Sequence, residues 1–418
     1  MDSKSTVEKG GLGRTLRNRN FRLLLLGSLS SAVGYSAGTI VFQWYIYNAT
    51  HSPLAIGAFA IVEFLPTLAF GLFAGVLADR FNRQRIMVSA DLCRTAALAA
   101  LAVFVWLAGL NVVLILLVVG VVASFTALFR PASQALLPTI VPDRSLADAN
   151  GLLQSGGTTS SLIGYSLGGT LVAVAGLVAA LALDSASFAI SAILLLALTL
   201  PSVSRAPTPT TKGTKRQGSG LLEGFRYIRK QDALFLMMLT AGVGSFLFPI
   251  WETYLVVYVA SGLHLGPLYL GVLLGVLALC AGLGALACGR LPTQERPGVW
   301  AATSWGVSGV GIAALALLPP FTIALMLVGM STFIGQLGYT AWLTCVQRTT
   351  PNNLLGRVLS TETTVSWALF PVAQVLGAIL LSNIGIPMTY LLVGVDSAFG
   401  GFVLLASKSV WNWGRTDN

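Results

Sequence analysis

Apolar residues in this chain come in runs of about twenty or more, broken by short polar stretches, with no alternating period along them. A helix needs roughly 20 apolar residues to cross a bilayer. Twelve runs meet that length: 21–47, 53–78, 86–108, 112–139, 147–175, 177–200, 233–260, 267–289, 298–318, 321–346, 356–382 and 387–407. The breaks near 175–178 and 318–321 are very short turns. A membrane β-barrel would show polar-in, apolar-out alternation, which these runs lack. The pattern predicts an all-α integral membrane protein with twelve transmembrane helices.

Composition agrees. Of 418 residues, 55% are apolar and 10% are charged, against roughly 25% charged in a soluble domain, so a water-soluble fold is excluded. The 45 glycines suit close helix approach in lipid. The first run follows basic residues as a signal peptide would, but it is too long and lacks a small-x-small cleavage site, so it is expected to be retained. The net charge of +10 reflects where the basic residues fall, and no basic tract is interleaved with stacking aromatics, so nucleic acid is not expected as a partner. Lys and Arg precede the first run and follow every second one, while the six intervening loops carry none. By the positive-inside rule both termini are cytoplasmic, in a multi-pass protein of the cell membrane. Cys93, Cys280, Cys288 and Cys345 fall inside predicted helices without a Cys-x-x-Cys, and His51 and His264 lie in loops far from acids. No metal, cofactor or His-based catalytic site is predicted.

The chain repeats itself. "HSPLAIG" at 51–57 returns as "HLGPLYLG" at 264–271, Asp184–Ala186 returns at Asp396–Ala398, and Pro142 aligns with Pro351, at offsets of about 210 residues. A constant offset predicts two parallel halves. The expected layout is a segment 1–20, a six-helix bundle 21–200, a linker 201–231, a second bundle 232–408 and a tail 409–418. Residues 201–218 are rich in Pro, Thr, Lys and Gly, whereas 220–231 place Leu221, Leu222, Phe225 and Ile228 at helical spacing beside Arg226, Arg229 and Lys230. That is an amphipathic helix for a membrane surface.

The loop "GVLADRFNRQR" (75–85) resembles the loop between helices 2 and 3 of the major facilitator superfamily, roughly Gly-x-Leu-Ala-Asp-Arg-x-Gly-Arg, with Gly75, Leu77, Ala78, Asp79, Arg80 and Arg83 matching. Asn82 stands at the usual glycine, a residue also able to take φ > 0 in a tight turn. "FRPASQALLPTIVPDRSLADAN" (129–150), "LDSASF" (183–188) and "GLLEGFRYIRKQ" (220–231) are similar to the exporter branch that includes macrolide and siderophore efflux proteins. The resemblance implies a monomeric exporter of small molecules working by alternating access and driven by proton entry. Two motifs depart from that pattern: residues 112–124 carry no embedded arginine, and Gly164-Tyr165-Ser166-Leu167-Gly168-Gly169 has tyrosine where helix 5 usually has proline. A lipid or lysolipid transporter of the same fold is the alternative, a nutrient importer a weaker one. A membrane enzyme is disfavoured because no His lies beside an acid and no acidic pair has metal spacing.

Ionisable residues inside a membrane are functional candidates. Glu63 sits about ten residues into the second predicted helix and could take and release a proton; Glu252 lies beside Trp251 and Tyr254; Asp184 and Asp396 share one position of the repeat. These four are the coupling candidates. Asp91 and Arg94 are spaced to pair on one helix face, and with Gly75, Asp79, Arg80, Arg83, Gly356 and Arg357 they form an expected cytoplasmic gate. In the fold the resemblance implies, helices 1, 4, 10 and 11 line a central cavity. Substrate contacts are therefore expected from Tyr35, Phe125, Gln336, Trp367 and Phe370, together with Glu63 on helix 2. Gly164, Gly168 and Gly169 form a small-residue stripe for close packing, expected against a helix of the opposite bundle.

Overall fold

A computed structural model describes residues 12–71, 82–142, 145–199, 225–242, 246–293 and 295–413. Gly75, Asp79 and Arg80, and most of the linker, including Leu221 and Leu222, lie outside the described residues.

After a short helix Leu12–Arg17, the first half forms α1 (Arg19–Thr50), α2 (Pro53–Gly71), α3 (Arg83–Ala108), α4 (Val112–Ile140), α5 (Leu146–Val174) and α6 (Gly176–Leu196). Two starts are capped by asparagine: Asn82 accepts from Arg85 N–H and Asn111 from Leu114 N–H, satisfying donors the first turn leaves open. Asn82 does this at φ −64°, so its use here is N-capping and not the left-handed turn expected at that position.

The second half forms α7 (Asp232–Gly242), α8 (Phe248–Thr253), α9 (Pro267–Cys288), α10 (Pro297–Ala314), α11 (Phe321–Thr349), α12 (Asn352–Ala368) and α13 (Phe370–Leu405). The seventh apolar run, expected as one helix, is divided. α8 begins with Pro249 in its first turn, and after Leu255–Val257 the chain continues as a π-helical stretch Tyr258–Gly262. Pro371 likewise opens α13, just after α12 stops. Proline lacks the N–H an interior turn needs but fits a first turn, so it favours a fresh helix start. The eleventh and twelfth runs meet inside α13 at Gly385, which takes φ 77° two residues before Pro387.

Among the described residues, nine segments are long and apolar enough to cross a membrane. One of them, 354–405, holds the last two predicted runs. The two runs that do not register are α5, diluted by Gly, Ser and Thr, and the divided seventh. Trp106, Leu117, Ile193 and Leu286 are exposed on helix surfaces, a surface that lipid would solvate and water would not.

By its contacts the chain falls into two compact units, residues 1–45 with 62–208 and residues 46–61 with 209–418. In the first unit α3 packs on α4 and α6, around a core that includes Phe21, Leu24, Met87, Phe129, Leu136 and Leu195. α5 approaches α1: a Cβ at Gly168 would stand 2.6 Å from the Ala37 carbonyl oxygen, and one at Gly164 would meet Val33 and Ser36. Gly169 is buried beside them. The stripe therefore serves packing inside one unit, not the approach of the opposite bundle. In the second unit α10 packs on α11 and α13, and α9 on α11. Ile228, in the short helical stretch 225–229, is buried in that unit's core with Met237, Trp342 and Leu404, while Phe225 stays exposed.

The repeat is visible in the backbone. His51 and His264 both take left-handed conformations, φ 47° and 53°, and each is followed within three residues by a proline-opened helix. Left-handed backbone is uncommon for non-glycine residues, so its recurrence at matching positions reflects a common turn.

Candidate functional site

Polar groups inside the first unit collect in two places. On α1 and α2, Tyr35 donates its phenolic O–H to Glu63 Oε1 at 2.8 Å, and Thr39 donates to the same oxygen at 3.4 Å. Deeper in the unit, Arg94 forms an ion pair with Asp91 Oδ1, both side chains almost wholly buried. Asp91 Oδ2 accepts from Ser191 on α6 at 2.6 Å, while Arg94 donates to Ser31 on α1 and Thr126 on α4. The guanidinium lies over the rings of Phe129 and Phe188, 4.9 and 4.4 Å from their centroids. A buried charge must be paired and hydrogen-bonded to be tolerated, and these contacts tie four helices to one cation.

Asp184 on α6 is buried, and its Oδ1 has no hydrogen-bond partner among the described residues. Its carboxylate lies against α1, where a Cβ at Gly34 would fall 2.6 Å from Oδ1. Asp396, its counterpart in the repeat, accepts from the Leu247 N–H at 3.3 Å, where α8 begins.

The second unit holds a cavity of about 410 Å³. α8 brings Trp251 and Glu252 to it, α11 brings Gln336 and Tyr339, and α12 brings Glu362 and Trp367. The cavity thus sits beside the helix start opened by Pro249 and the end of α12, just before Pro371. Glu362 accepts from Ser366 Oγ at 2.9 Å, one turn further along α12. Trp367 packs on Phe370, ring centroids 5.6 Å apart.

The expected substrate contacts divide accordingly. Tyr35 and Glu63 meet in the first unit, Gln336 and Trp367 line the cavity of the second, and Phe370 packs on Trp367 with the rings tilted 47°. Phe125 is half-buried against the first unit's core. Of the coupling candidates, Glu252 lines the cavity. Of the gate candidates, Arg83 donates to the Ala135 carbonyl at 2.8 Å. The Arg357 carbonyl accepts from Thr361 inside α12, and Gly356 has open space beside it. Trp305, Tyr339 and Trp342 line the cavity although no site was expected to use them, and Glu362, an embedded acid of the eleventh run expected to face the cytoplasm or a cavity, lines it too. The signal for Glu362 was present, an acid within an apolar run. For the aromatics, a core position and a cavity wall read alike in sequence.

The sequence matches the family description "Major Facilitator Superfamily" over residues 24–371. It is 25% identical over 392 residues to the multidrug efflux pump Tap of Mycobacterium tuberculosis, covering 92% of each chain. It is 24% identical to macrolide efflux protein A of Streptococcus pyogenes, covering 90% of this chain and 92% of that one. The fold is similar to a bacterial homologue of the human lysosomal transporter Spinster in an inward-facing, occupied conformation, with TM-score 0.72, 14% identity, and 96% and 98% of the chains covered.

Proposed function

The chain belongs to the Major Facilitator Superfamily, and on that premise we propose that it is a secondary active exporter of moderately hydrophobic or amphiphilic organic compounds. It is a multi-pass membrane transporter, distantly related to drug efflux pumps. The observation that carries the finer reading is the cavity of the second unit, walled by Trp251, Trp305, Tyr339, Trp342 and Trp367. Such walls suit an apolar or amphiphilic body, whereas a sugar would need many more hydrogen-bonding side chains. The relatives, a multidrug efflux pump and a macrolide efflux protein, support cargo of that kind.

Transport proceeds by alternating access, the bundles 21–200 and 232–408 rocking about the substrate in a cell membrane with both termini cytoplasmic. A monomer suffices for this cycle. Proton entry drives it, with Glu63 as the first coupling residue: its carboxyl has two hydroxyl neighbours, Tyr35 and Thr39, able to stabilise it when charged. Glu252, Asp184 and Asp396 are the further acids available for coupling. The loop motif at Gly75, Asp79, Arg80 and Arg83, with Gly356 and Arg357, forms the cytoplasmic gate, to which Asp91 and Arg94 are linked through α3.

The test is a panel of drug-susceptibility and dye-efflux assays in a pump-deficient host, repeated in proteoliposomes under an imposed pH gradient. Reduced accumulation of amphiphilic dyes that collapses with the gradient is expected. Accumulation unchanged across the panel would reject export, and efflux insensitive to the gradient would reject proton coupling.

A further inference from the structure

The cavity of the second unit has a sign. Two carboxylates, Glu252 and Glu362, line it, and among the described residues no Lys, Arg or His does. Four of its walls are tryptophans, at 251, 305, 342 and 367. An aromatic face presents negative charge, so indole walls and carboxylates attract the same kind of ligand. Glu362 is half-buried and accepts from Ser366 at Oε1 and, at 3.5 Å, from Thr363 at Oε2, which fixes its direction. Carboxylates in a site of low dielectric attract a cation and repel an anion more strongly than they would in water.

We propose that this cavity selects organic cations with an apolar, largely aromatic body over anions and neutral compounds of the same size. Glu252 and Glu362 supply the charge and the tryptophans the cation–π contact. The inference rests on the exporter reading for its physiological meaning, but its binding test does not.

Tetraphenylphosphonium and tetraphenylborate share shape and size and differ in the sign of the charge, and triphenylphosphine oxide is a neutral relative with an acceptor oxygen. Binding of all three to the purified full chain in detergent is measured by calorimetry. The phosphonium is expected to bind at least about tenfold more tightly than the borate. In Glu252→Gln/Glu362→Gln, the ratio of phosphonium to phosphine-oxide affinity is expected to fall about tenfold or more. Glu252→Asp/Glu362→Asp, which keeps both charges, is expected to retain most of that ratio, separating charge from fold. Equal binding of phosphonium and borate, or a ratio unmoved in the Gln variant, overturns the proposal. Proteoliposomes separate the two readings. Export of the phosphine oxide without any preference for the phosphonium removes the cation inference and leaves the exporter standing. Selective binding of the phosphonium with no transport of any probe upholds the site and removes the exporter.

Discussion

Tyr35 and Glu63, 28 positions apart on α1 and α2, share a hydrogen bond of 2.8 Å inside the first unit. A carboxylate in a membrane interior costs a few kcal/mol unless it is paired or reached by water, and hydroxyl donors offset part of that cost when it is charged. Gln at 63 keeps the shape and removes the ability to exchange a proton. Glu63→Gln is therefore expected to abolish uphill efflux driven by a pH gradient in proteoliposomes while preserving substrate binding and exchange. Tyr35→Phe removes one donor and leaves the carboxyl, so it is expected to slow uphill efflux without abolishing it. A Gln variant that still pumps uphill with the wild-type pH dependence would make Glu63 a packing residue.

Arg94 and Asp91 form a pair whose partners all lie inside one unit. Removing one member of a buried pair strands the other, at about 3–5 kcal/mol. Asp91→Asn and Arg94→Met are each expected to lower thermal stability in detergent sharply. The double variant is expected to lose less than the sum, since no isolated charge remains. Additive losses would mean the two side chains stabilise the protein independently.

These two sites mark how far the sequence could be read. The helices followed from run length, and the i, i+3 spacing of Asp91 and Arg94 foretold their pairing. The repeat paired the segments that begin at His51 and His264, and the structure adds that both residues take left-handed backbone. Tertiary choice was hidden. Nothing in the Gly164–Gly168 stripe says which helix will approach it, because any small-residue stripe admits any close neighbour. Nor does an apolar run reveal that Pro249 will open a new helix, since membrane helices also tolerate internal proline, as α4 does at Pro131 and Pro138. The cavity brings Glu252 on α8 and Glu362 on α12 to shared walls across 110 positions of chain, a distance over which one sequence carries no pairing signal.

The α1–α5 contact gives a graded test. A methyl group at Gly168 would sit 2.6 Å from the Ala37 carbonyl oxygen and 2.9 Å from its Cα, while one at Gly157, on the same helix, would meet nothing within 4 Å. Backbone cannot step aside as a flexible side chain can. Gly168→Ala is expected to destabilise the protein by about 1–3 kcal/mol, and Gly168→Leu to stop transport. Gly157→Ala is expected to be neutral or to stabilise by up to about 1 kcal/mol, because alanine suits a helix better than glycine. Melting midpoints in detergent, with efflux measured in parallel, decide the matter. Equal effects at 157 and 168 would place the stripe away from α1.

The last prediction concerns Asp184 and Asp396, which stand at one position of the repeat and serve one geometric role. Each comes from the last helix of its half: Asp184 lies against Gly34 and Gly38 of α1, and Asp396 accepts from Leu247 where α8, in the divided seventh run, begins. The first contact is the tighter. Asp184 is 5% exposed with Oδ1 unpartnered among the described residues, and a methyl group at Gly38 would meet its carboxylate. Glycine at 38 is thus required by the acid and not by the backbone, whose φ there is ordinary. Gly38→Ala is expected to destabilise by about 1–3 kcal/mol in the wild-type chain. The same change is expected to cost much less in Asp184→Ala, where the obstructing group is gone, giving a coupling energy of about 0.5–3 kcal/mol. Thermal unfolding of the four chains in detergent closes the cycle. Strict additivity would show that Asp184 does not press on α1. A large coupling together with normal pH-driven efflux in Asp184→Asn would make it a packing acid and remove it from the coupling set.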